Sequence, residues 1–500
     1  MRKNKIIQTT YFPKGTVALF FIQIFATLSF SVLFSTLMLY TTKGLKMSDA
    51  TSVGVVASLL AFNYVLHLIG GYIGGRWLSH RVLFLIGMIA QITGCIILSI
   101  PTTNALFWGL AAFLTGCGLN VININCMLTQ LFQPDDKRRE TAFLWNYSGM
   151  NIGFLVGSSI SGYFQLHHTY HALFLLASLG DLMALIILLL KWNLLCHVRD
   201  SFVTLRVSEK LFLMIRGLIT LIILVLALRW LLEHTHFSHD LILFVGVAMA
   251  VAIAFFATKQ PHLDSRNKIF AYLILAFAAL IFWVLYQLAP MGLTLFIERN
   301  VDRHYLGILI APQWVQGINT IVIILGAPIL SALFNSLRAR GFQITIPLQF
   351  SLALIIIGIS FLVLTIGIHF SDVHGLININ WIFISYILQS SGELLISPIG
   401  YAMVGELAPV HLQGVMMGTW LMIIGVASTL SGSFTIMALG NSHSTNPLIT
   451  NPSFSHTFSL LGWSAISAGI LLAIFIPALL RLTHEKKLFA KQPTISPVEL

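Results

Sequence analysis

The amino-acid sequence predicts an all-α integral membrane protein that crosses the bilayer fourteen times. Three observations carry this prediction. The first is composition: 57% of the 500 residues are hydrophobic and 9% are charged, and mean hydropathy is +0.89, well outside the range of soluble globular chains. The second is the recurrence of long apolar runs to the end of the chain, each able as a helix to span a hydrocarbon core of roughly 30 Å. The third is where the basic residues fall. A net charge of +11 would suit nucleic acid, but the positive residues lie in short loops between apolar runs. That pattern marks membrane topology and not an anion-binding face, so no nucleic-acid partner is expected.

The elements follow in order. The start, MRKNKIIQTTYFPKG, is polar and basic and leads into a full-length first span at about 16–40. With no small-residue cleavage site after a short apolar core, this span is expected to stay as an anchor. Spans two to six fall at about 52–75, 82–100, 104–131, 142–165 and 170–192. Spans seven and eight, about 210–232 and 240–258, are set off by the charged loops KWNLLCHVRDSFVTLRVSEK and TKQPHLDSRNK. The last six lie at about 269–297, 306–335, 344–369, 378–404, 412–438 and 456–481. Of the 28 Lys and Arg, 22 fall on the side of the N-terminus. The opposite loops hold only Lys43, Lys46, Arg299 and Arg303, while Arg216 and Arg229 fall inside the seventh span. Both termini are therefore expected in the cytoplasm.

Fourteen spans divide as six, two and six. The expected organisation is an N-terminal bundle (1–195), an inter-bundle linker with an extra helix pair (196–265), a C-terminal bundle (266–485) and a cytoplasmic tail (486–500). Two six-helix bundles around a midplane cavity is the major facilitator architecture. The second loop of each half is short and basic, GGYIGGRWLSHR (70–81) and NSLRARG (335–341). Its glycines allow close helix approach and its basic residues hold the cytoplasmic side.

One stretch stands out chemically: SGELLISPIGYAMVGELAPVHLQGVMMGTW (391–420). Glu393 lies more than a turn inside an apolar run, with no opposite charge near it in sequence. An ionisable group at that depth costs a few kcal/mol and usually faces a bundle interior or a wet cavity. Pro398 and Gly400 are expected to loosen the helix there. Cys95, Cys117, Cys126 and Cys196 show neither pairing nor metal spacing and read as small core residues. No metal and no cofactor is expected.

Several segments, in the same order along the chain, resemble the proton-dependent oligopeptide transporter family, including its bacterial dipeptide and tripeptide permeases. They are FPKG (12–15), FLWNYSGMNIG (143–153), WVLYQLAPMGLTLFIERNVD (283–302), APQWVQGIN (311–319), GELLISPIG (392–400) and MMGTW (416–420). The resemblance implies secondary transport by alternating access around a peptide-binding cavity, in a bacterial inner membrane and as a monomer. It places Glu393 where the family holds the peptide amino terminus and Asn319 near that end. It also places Ser397, Trp420, Tyr64 and Tyr147 on neighbouring cavity positions. The residue types suit such a cavity, since a carboxylate pairs with an ammonium, an amide donates and accepts, and aromatics make amphipathic walls. The plainer reading of each aromatic is packing within its span.

The other half of the family's pattern is absent. Its first-helix E-x-x-E-R falls on Gln23, Ala26 and Thr27, and two tyrosines fall on Phe30 and Ser31. Its fourth-helix lysine falls on Val121, a later acid on Gln287, and the loop aspartate on Gly75. Buried charges persist as neutralised sets, because removing one strands its partner at several kcal/mol. Losing acids, arginine and lysine together leaves an uncharged wall, without proton coupling through those positions and without a basic clamp for a carboxylate.

Other groups are able to titrate. Asp181 lies mid-span in LLASLGDLMALII and His67 lies near Tyr64. With Glu393 these are the candidate proton carriers; the plainer readings are a hydrogen-bonded structural acid and a satisfied core histidine. Histidine-rich outer loops, HHTYH (167–171) and EHTHFSHD (233–240), read as a pH-sensitive surface and not as a metal cage. No phosphate loop, nucleophile elbow or zinc-protease motif supports an ATP-driven pump or an enzyme. The expected function is therefore a peptide-permease-like transporter. Two alternatives stay open: a facilitator or exporter of a non-peptide amine-bearing solute, and a sensor that binds without transport.

Retention of Glu393 with loss of the basic residues predicts that a ligand needs a positive group and no free carboxylate. A dipeptide and its C-terminal amide should then stabilise the purified protein to similar extents in a thermal-shift titration. Strong preference for the free acid would contradict this.

Overall fold

The computed structural model describes residues 12–133, 136, 138–195, 207–409, 411–440 and 444–483. Cys196, Lys137, Arg199, Arg206 and the 486–500 tail lie outside the described residues. Among those described, the helices are α1 (Thr16–Leu39), α2 (Asp49–Ile73), α3 (His80–Leu98), α4 (Thr103–Gln130), α5 (Arg138–Leu166), α6 (Tyr170–Leu190) and α7 (Val207–Glu233). Next come α8 (Thr235–Thr258), α9 (Leu263–Tyr286) and a short α10 (Thr294–Asn300) that continues α9 through a π-helical turn at Ala289–Leu293. The last are α11 (Pro312–Ala339), α12 (Ile346–His369), α13 (Ile379–Leu407), α14 (Gln413–Leu439) and α15 (Pro447–Thr483). The fold is all-α, with two-residue strands only in loops.

Among the described residues, thirteen segments are both long and apolar enough to cross a membrane. The remaining long helix, α5, has the length but not the composition, and its packing explains why. Gly149, Gly153 and Gly157 are spaced four apart and meet the backbone of α1. A methyl group at Gly157 would lie 2.6 Å from the Leu28 carbonyl oxygen, and one at Gly149 would lie 3.1 Å from that of Phe20. At Gly153 it would collide with the Ile24 carbonyl. Small residues let helix backbones approach where lipid supplies no hydrophobic drive between helices. The seam costs α5 its hydropathy and fixes it against α1.

The chain divides into two compact units, Met1–Ser238 with Tyr305–Ile324 and His239–His304 with Leu325–Leu500. In the first, α3 and α4 interlock through Gly87, Gly94, Gly109 and Gly116. The basic loop after α2 turns at Gly75, whose φ of 75° favours glycine. His80 Nδ1 lies 2.7 Å from Asn123 Oδ1 beside it. Arg81 donates to the Trp192 carbonyl oxygen at 2.6 Å and stacks 4.0 Å over its ring. The two arginines of α7 also find partners: Arg216 lies over Trp77, and Arg229 lies over Trp108 and pairs with Glu233 at 3.0 Å.

In the second unit, α12 and α15 approach through Gly358 and Gly462. Phe296, Phe361, Phe454 and Phe458 fill the space behind α10. Asn300 donates to Thr450 Oγ1 at 2.7 Å and to Asn451 Oδ1 at 2.8 Å, which closes that end of the unit.

Several helix starts differ from the sequence expectation, among them those of α8 and α9, which begin at Thr235 and Leu263 and not near 240 and 269; two others have a visible local cause. α11 begins at Pro312 and not near 306, because His304–Leu309 forms a small hairpin whose turn has Leu306 at φ 52° and Gly307 at 80°. α15 begins at Pro447 and not near 456. The Asn446 side chain accepts from Leu448 N at 3.0 Å, and proline at the first helical position needs no amide partner.

The α1–α5 seam yields a direct test. Gly153→Leu should abolish a monodisperse folded peak and lower the thermal midpoint, because the backbones cannot separate without breaking the unit. Gly414→Ala, with nothing within 4 Å, should behave like the wild type.

Candidate functional site

Within the second unit, Glu393 is half-buried on α13. The Tyr286 hydroxyl, at the end of α9, donates to Glu393 Oε2 at 2.7 Å. Tyr286 is itself held by aromatic packing, stacked on Phe282 at 6.1 Å and edge-on to Trp283 at 5.3 Å. α13 comes this close to α9 because residue 392 is glycine: a methyl there would sit 3.1 Å from the Phe282 ring. A charge-assisted hydrogen bond from a phenol fixes the rotamer of the carboxylate. Ser397 follows one turn along the same helix and is also half-buried.

Pro398 does not interrupt α13, which runs helical from Ile379 to Leu407. The loosening expected there is therefore not a break. Gly400 serves packing, since any side chain at it would occupy the space of the Trp420 ring. Trp420 is 1% exposed, lies 6.3 Å from Phe350, and its Nε1 has no hydrogen-bond partner among the described residues.

Within the first unit, Tyr64 and His67 on α2 meet edge to face at 5.9 Å. Tyr147 is 46% exposed on α5, and its carbonyl oxygen accepts from Asn151 at 2.9 Å. The first part of α11 belongs to this unit. Trp314 donates to the Ser159 carbonyl oxygen at 2.9 Å over Gly162, Gly317 sits beside Leu155 and Ser158, and Asn319 follows, half-buried.

Asp181 lies on α6 of the first unit. It is 0% exposed, accepts from the Ser29 hydroxyl at 2.6 Å, and has the Cys95 thiol at 3.9 Å. It ties α6 to α1 and α3. Cys95 is thus more than a small core residue, while Cys117 is buried and Cys126 partly so.

Three features are not legible in the sequence. Tyr286 ends an apolar run, where a tyrosine ordinarily reads as an interfacial anchor. The partners of Asp181 come from two other helices. The positions where the charged first-helix motif is missing form a neutral network instead. In it Gln23 Nε2 donates to Thr27 Oγ1 at 2.8 Å, and Asn146 Nδ2 reaches Gln23 Oε1 at 3.2 Å and Asn125 Oδ1 at 3.4 Å.

Residues 81–446 match the sequence model of the POT family. The chain belongs to the POT family. It is 30% identical to dipeptide and tripeptide permease A of Citrobacter koseri, over 96% of this chain and 95% of that one. To the permease of the same name from Cronobacter turicensis it is 29% identical, over 95% and 94%. The crystal structure of the peptide transporter POT in complex with sulfate superposes with a TM-score of 0.83 at 24% identity, covering 94% of this chain and 96% of that one. The last likeness establishes that this POT-family chain shares the fold.

For this POT-family member, the Asp181 contact predicts energetic coupling between α1 and α6. Ser29→Ala and Asp181→Ala should each lower the thermal midpoint, and the double variant should lose less than their sum. The coupling should be roughly 1–2 kcal/mol. Strict additivity would show that the contact carries no stability.

Proposed function

We propose that this protein is a secondary transporter of the bacterial inner membrane that carries an amine-bearing peptide or peptide-like solute by alternating access. Glu393 is the anchor for its positive group. The observation that carries this reading is the Tyr286–Glu393 hydrogen bond of 2.7 Å. It holds a carboxylate within a membrane-spanning helix in a set orientation, as recognition of an ammonium requires. The names of the full-length relatives, dipeptide and tripeptide permease A, support peptides as the solute class.

In this reading Ser397 adds a hydroxyl beside the anchor, and Trp420 backs α13 through Gly400. Tyr64, Tyr147 and Asn319 are the candidate solute contacts carried by the first unit. The bundles are 1–195 and 266–485, joined by the linker pair at 196–265, with both termini cytoplasmic and the monomer as the working form.

We assign the proton, where one is exchanged, to Glu393. Gln23, Ala26 and Gln287 have no titratable group, both oxygens of Asp181 are engaged by Ser29 and Cys95, and His67 is buried against the Tyr64 ring. A single carboxyl that takes a proton or an ammonium makes the two competitors, which favours exchange or facilitation over uptake with a proton. The neutral Gln23–Thr27–Asn146–Asn125 network favours the facilitator reading for the same reason: it stores no charge to release.

Uptake into proteoliposomes tests the proposal. Dialanine should equilibrate across wild-type vesicles, and an imposed inward proton gradient should not drive accumulation above equilibrium. Glu393→Gln should weaken binding by about 2–5 kcal/mol, and Tyr286→Phe by about 0.5–1.5 kcal/mol. Binding without equilibration would identify a sensor. Unchanged affinity in Glu393→Gln would remove the anchor.

A further inference from the structure

The turn between α2 and α3 carries a chain of rings and cations that ends on α7. Arg76 lies 4.6 Å over the Tyr72 ring, Tyr72 meets Trp77 edge to face at 5.5 Å, and Arg216 of α7 lies 4.2 Å over Trp77. Packing puts them there. Leu78, next to Trp77, fits against Gly217, next to Arg216: a methyl at Gly217 would sit 3.0 Å from the Leu78 side chain. Leu78 and Leu221 then share one buried apolar cluster. All of these residues belong to the first unit.

Both arginines are exposed, and among the described residues neither guanidinium has a carboxylate or a hydrogen-bond acceptor. Other arginines reach an oxygen: Arg81 bonds to the Trp192 carbonyl, Arg229 pairs with Glu233 and Arg303 with Glu298. The acid before Arg216 on α7 is Glu209, seven residues away, which lines a small cavity with Ser208, Phe212 and Leu213. Arg216 is also not a loop residue. It stands nine residues after Val207, about 13 Å along a helix at 1.5 Å per residue, and that helix is long and apolar enough to cross a membrane. Phe212 and Ile219, one turn to either side of it, are exposed. An arginine so placed is costly unless its stem carries the charge to the interface and an anion meets it there.

A ring supplies no oxyanion, so each guanidinium keeps donors that a phosphate accepts two at a time. We propose that Arg76 and Arg216 form a headgroup site for an anionic phospholipid of the phosphatidylglycerol class. Arg216 takes the phosphate, and Arg76 supplies the second positive charge at the other end of the aromatic pair. Tyr72 and Trp77 stand at headgroup level, where such rings are favoured, and an acyl chain lies along Phe212 and Ile219. Charge selects the lipid: two cations without a carboxylate attract a net negative headgroup and repel the ammonium of a zwitterionic one. The bilayer itself delivers this ligand to an exposed surface. Once bound, the lipid bridges the α2–α3 turn and α7.

The test measures lipid bound to the full-length purified protein by native mass spectrometry, with dioleoylphosphatidylglycerol and dioleoylphosphatidylcholine as competing probes. Wild type should prefer phosphatidylglycerol at its tightest site. Arg76→Gln and Arg216→Gln should each weaken that site about fivefold, and the double variant should show no preference. Arg216→Lys keeps the charge and should keep part of the preference, which separates lost charge from lost fold. Arg340→Gln, at an exposed arginine of the second unit, should bind like the wild type.

A preference that survives in the double glutamine variant would overturn the proposal. So would an equal loss in Arg340→Gln, which would show general attraction to positive charge. Inorganic phosphate that displaces the lipid as well as phosphatidylglycerol does would make this a free-anion site and would overturn the lipid assignment. A fall in the thermal midpoint of Arg216→Gln in phosphatidylcholine alone, matched by Arg216→Lys, would overturn it too and make Arg216 a packing residue.

Discussion

A polar group inside a bilayer has no water to turn to, and this constraint orders the molecule at every scale. For the backbone it leaves helices as the spanning element, hence the long helices of both units. For side chains it demands partners from neighbouring helices. Asp181 is met by Ser29 and Cys95, Glu393 by Tyr286, and Ser351 gives its hydroxyl to the Gly469 carbonyl oxygen at 2.8 Å. Each of these bonds also fixes two helices in register. Polar satisfaction and helix packing are therefore one problem here, solved by the same residues.

Close approach is the second half of that solution. Without a hydrophobic drive between helices in lipid, contact has to come from backbone proximity and shape. Gly149, Gly153 and Gly157 bring α5 onto α1, and Gln23 thereby comes within reach of Asn146. The neutral network in place of a charged first-helix motif depends on this seam, because an amide bond has a shorter useful range than an ion pair. Exchanging charges for amides is consistent only in a bundle already this tight.

How much of this is legible in the sequence follows from the length scale of each signal. Spans are encoded by some twenty residues at a time, so they are readable, and basic residues at their ends reinforce the pattern. Even the polar α5 is legible near 142–165, since its polar residues there carry no charge. Ends are less readable: the start of α15 depends on one asparagine, Asn446, and one proline, a signal lost inside a serine-rich stretch. Partners are least readable of all. Nothing in WVLYQLAP says that Tyr286 will face a carboxylate 107 residues away, and nothing in LLASLGDLMALII names Ser29. Those facts are tertiary, and only packed helices reveal them.

Burial also separates residues that sequence resemblance treats alike. Trp420 and Glu393 both fall on cavity positions of the family, yet Trp420 is sealed against Gly400 and Phe350, while Glu393 is half-buried. A residue that no solute reaches influences a site only through the helix it supports. Trp420 acts on α13 by filling the gap that Gly400 opens, and so sets where Glu393 and Ser397 stand. In a membrane bundle the distinction between wall and site is thus drawn less by residue type than by burial.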